Sequence, residues 1–166
     1  MGQSTGGAIL AKHLLARHRA GEAAELARVV LLAPLVAPAG WWYNRLLYLA
    51  LRRFRRRLRR VPGAGSSDPA FRELLRRDPL QARALPMAWI GAMDRWIREV
   101  KQASPCPWPV RILQGTADAT LAWRYNLRVL RKVFPAAQIQ LLPGVRHHMV
   151  NERPALREQV FAALGL

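Results

Sequence analysis

The chain has 166 residues, 51% of them apolar, with 27 Lys and Arg against 10 Asp and Glu and a single cysteine. That is enough for one domain with a real core, and it excludes a disordered chain and a disulfide framework; the lone Cys106 fits a reducing compartment. The net charge of +17, mostly arginine, points either to anionic surfaces, nucleic acid or lipid headgroups, or to coding DNA that favours arginine over lysine.

The chain opens on Gly2-Gln3-Ser4-Thr5-Gly6, a Gly-x-Ser-x-Gly pentapeptide. In such a pattern the serine stands on a sharp strand-to-helix turn, and the flanking glycines keep bulk away from it. A helix follows, with Ala8, Ile9, Leu14 and Leu15 as apolar positions before Arg19 and Gly21. The chain begins one residue before the motif, so the strand that should precede it is expected to be missing. The next strand lies within residues 28–36, where adjacent valines and leucines read as a parallel strand buried on both faces. Without a neighbour it is expected to be a bare sheet edge.

From residue 39 to about 104 the pattern turns helical. After Trp41, Trp42 and Tyr43, the residues Leu47, Leu51, Phe54 and Leu58 recur at steps of four, three and four, one stripe of a single helix. Its other faces carry Arg52, Arg53, Arg55, Arg56, Arg57, Arg59 and Arg60. Residues 62–67 read as a loop, and Ser67 or Asp68 is placed to cap a helix running to Arg77. Beyond Pro86, a second apolar helix carries Met87, Ile90, Met93, Ile97 and Val100, with Trp89 and Trp96.

After the proline-rich loop around Cys106, residues 110–115 read as a strand, with Asp118 in the loop at its C-terminal end. A helix over about 122–134 follows, then a strand over 138–142, a loop carrying His147 and His148, and a last helix with Pro154 in its first turn. Strands alternating with helices predict a parallel sheet with right-handed crossovers. The candidate residues all fall at strand C-terminal ends, where such sheets place their sites.

Ser4, Asp118 and His147 therefore occur in the order nucleophile, acid, base. A serine hydroxyl is a weak nucleophile and needs a base within hydrogen-bond reach, and an acid that holds the base's tautomer. Each residue also has a plain alternative: Asp118 as a helix cap, His147 as a surface histidine. Their common order, each after its own strand, favours the chemical reading. His148 competes with His147, and His147 is preferred because it stands three residues after Gly144. His13 and His18 read as packed or solvated helix residues, and no cluster has metal-ligand spacing. No metal and no cofactor are expected.

Together Gly2-Gln3-Ser4-Thr5-Gly6-Gly7, Leu32-Ala33-Pro34, Gly115-Thr116-Ala117-Asp118, Gly144-Val145-Arg146-His147 and Asn151-Glu152 resemble the α/β-hydrolase superfamily. More narrowly, they resemble its serine aminopeptidase/monoacylglycerol lipase-like branch, whose members are often labelled lysophospholipases. The resemblance spans the whole chain but only the C-terminal half of that family. It implies a partial α/β-hydrolase fold of about three parallel strands with flanking helices. Residues 1–38 and 105–166 would form the core and residues 39–104 a helical lid. It also implies Ser4 as nucleophile, Asp118 as acid and His147 as base. The family's first strands and its His-Gly loop have no counterpart, so an N-terminally truncated form is expected, with the N–H of Thr5 as the remaining oxyanion-hole donor.

The implied substrates are small acyl esters, such as monoacylglycerols or lysophospholipids, cleaved through an acyl-serine. Trp41, Trp42, Leu47, Leu51 and Phe54 are the lid residues placed to meet the acyl chain. The arginines from Arg52 to Arg60 suggest a second reading, an inactive fragment held on an anionic membrane by a basic amphipathic helix. Nucleic acid is not expected as a partner, because no helix-turn-helix, zinc or RNA-binding signature is present. With no leader pattern and no membrane-length apolar run, the expected location is cytoplasmic, at the membrane periphery where the arginines hold it.

Overall fold

The computed structural model describes residues 1–23, 26–60, 63 and 65–166. A two-residue strand β1 (Gly2–Gln3) leads into α1 (Thr5–Arg19), and β2 (Val30–Leu32) follows. Next come α2 (Trp41–Leu51), β3 (Arg57–Arg59), α3 (Pro69–Arg77), β4 (Ala84–Pro86) and α4 (Met87–Gln102). The chain closes with β5 (Arg111–Gly115), α5 (Trp123–Val133), β6 (Gln138–Leu142) and α6 (Pro154–Leu164).

Four strands form one parallel sheet in the order β1-β2-β5-β6. Side chains alternate across a strand, so each strand feeds two cores. Leu31 and Ile112 point to the face packed by Leu14 of α1, Val100 of α4 and Leu130 of α5. Val30, Leu32 and Leu113 point to the other face, against Val160 and Leu164 of α6. This is why β2 is buried along its whole length.

Two expectations are corrected. A strand does precede Ser4: β1 pairs Gly2 with Leu31 and Gln3 with Leu32, and the Ser4 N–H continues the ladder to the Leu32 carbonyl at 2.9 Å. The β2 edge is therefore covered at Leu31 and Leu32, and β1 is the outer strand. The single arginine-rich helix is also not formed. α2 ends at Leu51, where Phe54 and Arg55 turn back to its carbonyl. Arg57–Arg59 instead pairs antiparallel with Ala84–Pro86, placing Leu58 opposite Leu85. Like charges three and four residues apart disfavour further helix through this run, and pairing with β4 gives its backbone groups other partners.

Asp68 is the cap of α3, accepting from Ala70 N–H at 2.8 Å. Residues 61, 62 and 64 of the expected loop lie outside the described residues. The 39–104 region joins the sheet through a third apolar cluster, where Trp41, Met87, Ile90, Met93 and Ile97 meet Ala8, Leu35 and Leu121. Trp96 ties α4 to the chain after β2, its indole N–H donating to the Leu35 carbonyl at 2.9 Å. Asn126 of α5, fully buried, clasps the same segment through Ala37 N–H (2.9 Å) and Ala37 C=O (3.1 Å). Among the described residues no helix is long and apolar enough to cross a membrane.

Candidate active site

Ser4 sits between β1 and α1 with φ 52° and ψ −115°. A non-glycine residue held there stores about 1–3 kcal/mol, which its surroundings must supply. Its N–H is held by Leu32, and its carbonyl accepts from both Ala8 N–H and Leu35 N–H at 3.1 Å. The turn is tight because Gly2 lies against the first turn of α1: a Cβ on Gly2 would stand 2.6 Å from the Gly6 oxygen. Gly6 differs, since a Cβ there would meet nothing within 4 Å. The first glycine of the pentapeptide is thus required by backbone contact, while the second is not. Gly2→Ala is expected to destabilise by about 2–3 kcal/mol, the range of an overpacked site. Gly6→Ala should be neutral or stabilising by up to about 1 kcal/mol, as for a helical glycine. Urea unfolding of both variants checks the contrast, and equal losses would refute it.

Asp118 and His147 reach Ser4 because their two loops are laced together. The Ala117 N–H donates to the Val145 carbonyl at 3.0 Å, and the Gly144 N–H donates to Thr116 Oγ1 at 3.1 Å. Gly115 permits this approach, because a Cβ there would lie 2.2 Å from the Val145 oxygen. His147 Nδ1 is then 2.9 Å from Asp118 Oδ2, and His147 Nε2 is 2.9 Å from Ser4 Oγ. A carboxylate only accepts hydrogen bonds, so Nδ1 carries the proton and Nε2 is left to accept from the serine hydroxyl.

Asp118 is not the cap of α5. Its Oδ1 accepts from Thr120 N–H at 2.8 Å and Leu121 N–H at 3.1 Å, closing a local turn that leaves Oδ2 for His147. Gln114, fully buried, donates to the same Oδ2 at 3.2 Å. Burial pushes the Asp118 carboxyl up, but the hydrogen bond and charge of His147 and the two N–H donors outweigh it, so its pKa lies below the ordinary value. Its stabilising contribution is therefore present above the ordinary carboxylate range and is lost as pH falls through the lowered value.

His148 takes a different place. Its ring packs edge-on against Phe71 and His147, with centroids at 5.4 and 5.5 Å, and the backbone N–H of His148 donates to the Gly65 carbonyl at 2.7 Å. Burial, then the charge of His147, lowers its pKa. Thr5 opens α1, so its N–H is one of the first-turn groups that no carbonyl of the helix can reach. Of the apolar candidates, Trp41 is buried beside Ala8 and Leu35, and Leu51 packs on the same cluster. Leu47 is half-buried, while Trp42 and Phe54 are 67% and 82% exposed, away from any such stripe. Among the described residues no three His, Cys, Asp or Glu side chains converge on a metal site.

Three supporting residues carry no sequence signal of their own. Gln3 donates to the His147 carbonyl at 3.1 Å, Gln114 braces Asp118, and Glu152 anchors the histidine loop. Of these, Gln3 and Glu152 fall in stretches that resemble the family, and Gln114 does not.

The profile of the serine aminopeptidase, S33, family matches residues 1–154. Among solved structures, a soluble variant of monoglyceride lipase from Saccharomyces cerevisiae, in complex with a substrate analogue, superposes with a TM-score of 0.76. It is 20% identical, over 98% of this chain and 61% of that one. The monoacylglycerol lipase of Paleococcus ferrophilus gives 0.77 at 22% identity, over 98% of this chain and 64% of that one. Mouse alpha/beta hydrolase domain-containing protein 10 gives 0.60 at 17% identity, over 99% and 58%. The chain thus spans about three fifths of the length of these structures, and at such identities the likeness is one of fold. No relative was found among curated protein sequences. With the profile covering most of its length, the chain belongs to the serine aminopeptidase, S33, family of α/β-hydrolases.

Proposed function

We propose that the chain carries the site of a serine ester hydrolase acting on monoacylglycerols, lysophospholipids or similar acyl esters. The observation that supports it is the unbroken chain of hydrogen bonds from Ser4 Oγ through His147 to Asp118. In this reading His147 Nε2 takes the Ser4 proton as Oγ attacks the ester carbonyl. Negative charge developing on the carbonyl oxygen falls by the Thr5 N–H at the positive end of α1. His147 then returns its proton to the leaving alkoxide, an acyl-serine remains, and water activated by His147 releases the acid. Asp118, ionised and buried, holds the imidazole tautomer and offsets its charge in between.

An ester is favoured over a peptide by the likeness to the two monoacylglycerol lipases. Phe54 and the exposed arginines from Arg52 to Arg59 support a surface contact with anionic lipid as part of the same reading. Offered monodecanoylglycerol and an amino-acid p-nitroanilide, the protein should release decanoate from the first and no nitroaniline from the second. The reverse preference would overturn the substrate class.

A further inference from the structure

Away from Ser4, a groove of about 700 Å³ runs between the start of α2, the outer side of α4 and α5. None of Ser4, Asp118 or His147 lines it, although Ala122, four residues beyond Asp118, forms part of its wall. Its size falls in the range of small-ligand sites. Its lining is mixed in chemistry, with apolar surface from Trp41, Ile97, Ala37 and the ring of Tyr125, and four cations, Arg45, Arg98, Lys101 and Arg128, against one carboxylate, Asp94.

The pairing within that cluster matters. Asp94 is 6% exposed and takes Arg45 Nε at 2.8 Å on one oxygen and Arg98 on the other. Two guanidiniums are thereby held side by side by one buried acid, with one positive charge in excess. Lys101 and Arg128 form no ion pair among the described residues. Both continue into an adjoining cleft of about 190 Å³ that adds Lys132 and no acid. Like charges gathered on low-dielectric walls raise the local potential and concentrate anions. Burial pushes the Tyr125 phenol above its ordinary pKa, opposed by Arg128, so the hydroxyl remains a neutral donor.

We propose that this groove is a binding site for an anionic single-chain amphiphile, its headgroup between Lys101 and Arg128 and its tail along Trp41 and Ile97. A bare anion would leave the apolar surface unused, and a neutral chain would leave the cations unneutralised. The proposal does not depend on the ester-hydrolase reading, because it concerns binding at residues outside the Ser4 site.

Calorimetric titration with monodecyl phosphate, inorganic phosphate and decanol separates the contributions of head and tail. Monodecyl phosphate should bind, with the other two about tenfold or more weaker. K101E/R128E should weaken monodecyl phosphate about tenfold or more, while R72E/R83E, an equal charge change at exposed sites outside the groove, should leave it within about twofold. K101Q/R128Q against R72Q/R83Q provides the same comparison should the double reversal fail to fold. Equal losses in the groove and control variants would reduce the effect to general attraction by a basic protein. Unchanged binding in K101E/R128E, inorganic phosphate as tight as the amphiphile, or decanol as tight, would each overturn the assignment.

Discussion

Ser4→Ala should abolish fluorophosphonate labelling and lower ester turnover by about 10⁴ to 10⁶. The reason is the geometry around one oxygen. Ser4 Oγ is 2.9 Å from His147 Nε2, and the strained turn presents it at the start of α1. Alanine removes that oxygen while leaving the turn's backbone hydrogen bonds intact. His147→Ala should cost a similar factor, and the double variant should be little worse than either single one, since both residues serve the same proton transfer. Asp118→Asn should cost somewhat less, about 10⁴, by allowing the wrong imidazole tautomer. Steady-state rates with a p-nitrophenyl ester, together with intact-mass detection of the adduct, make the measurement. An S4A protein that turns over at the wild-type rate, or a Ser4 adduct that forms equally well without His147, would defeat the proposed mechanism.

Glu152→Ala carries the largest expected loss of stability. Glu152 is fully buried at the end of the histidine loop, and its oxygens serve two parts of the chain. Oε1 accepts from Arg146 N–H at 2.8 Å, next to His147. Oε2 accepts from Ser67 N–H at 2.9 Å and from the Ser67 hydroxyl, on the segment leading into α3. The Ser66 hydroxyl reinforces this contact by donating to the Asn151 carbonyl at 2.7 Å. Removing the carboxylate strands these donors in a closed space, at a cost of about 3–5 kcal/mol. In a domain of this size that lowers the melting temperature by about 6–20 °C. Glu152→Gln keeps the shape but replaces one acceptor by a donor, so it should fall between alanine and wild type. Calorimetry tests the ordering, and a loss below about 1 kcal/mol for E152A would show that the contact does not hold the two segments together. Where activity is present, both variants should also lower kcat, because His147 rides on the loop that Glu152 fixes.

Gln138–Leu142 and Pro154–Leu164 lie where sequence placed them, since Pro143, Gly144 and Pro154 mark their limits by constraints that act on neighbouring residues. The end of α2 was not legible. Apolar residues at 47, 51, 54 and 58 satisfy a helical period, and nothing local reveals that Leu58 finds Leu85 across an antiparallel pair. β1 has no local signal for a related reason: two residues carry no periodicity, and only their pairing with Leu31 and Leu32 makes them a strand.

By itself, the sequence determined the alternation of strands and helices, the turns, and the order serine, aspartate, histidine, because backbone preference and hydrophobic period act over a few residues. Tertiary structure alone decided that Gly2 rather than Gly6 is sterically required, and it alone brings His147, the histidine that the sequence favours, to Ser4, 143 residues away. It also decided that Glu152 joins the histidine loop to Ser67, 85 residues apart. A hydrogen bond or a close backbone approach between such distant segments depends on where the whole chain passes, and leaves no periodic trace in the residues that make it.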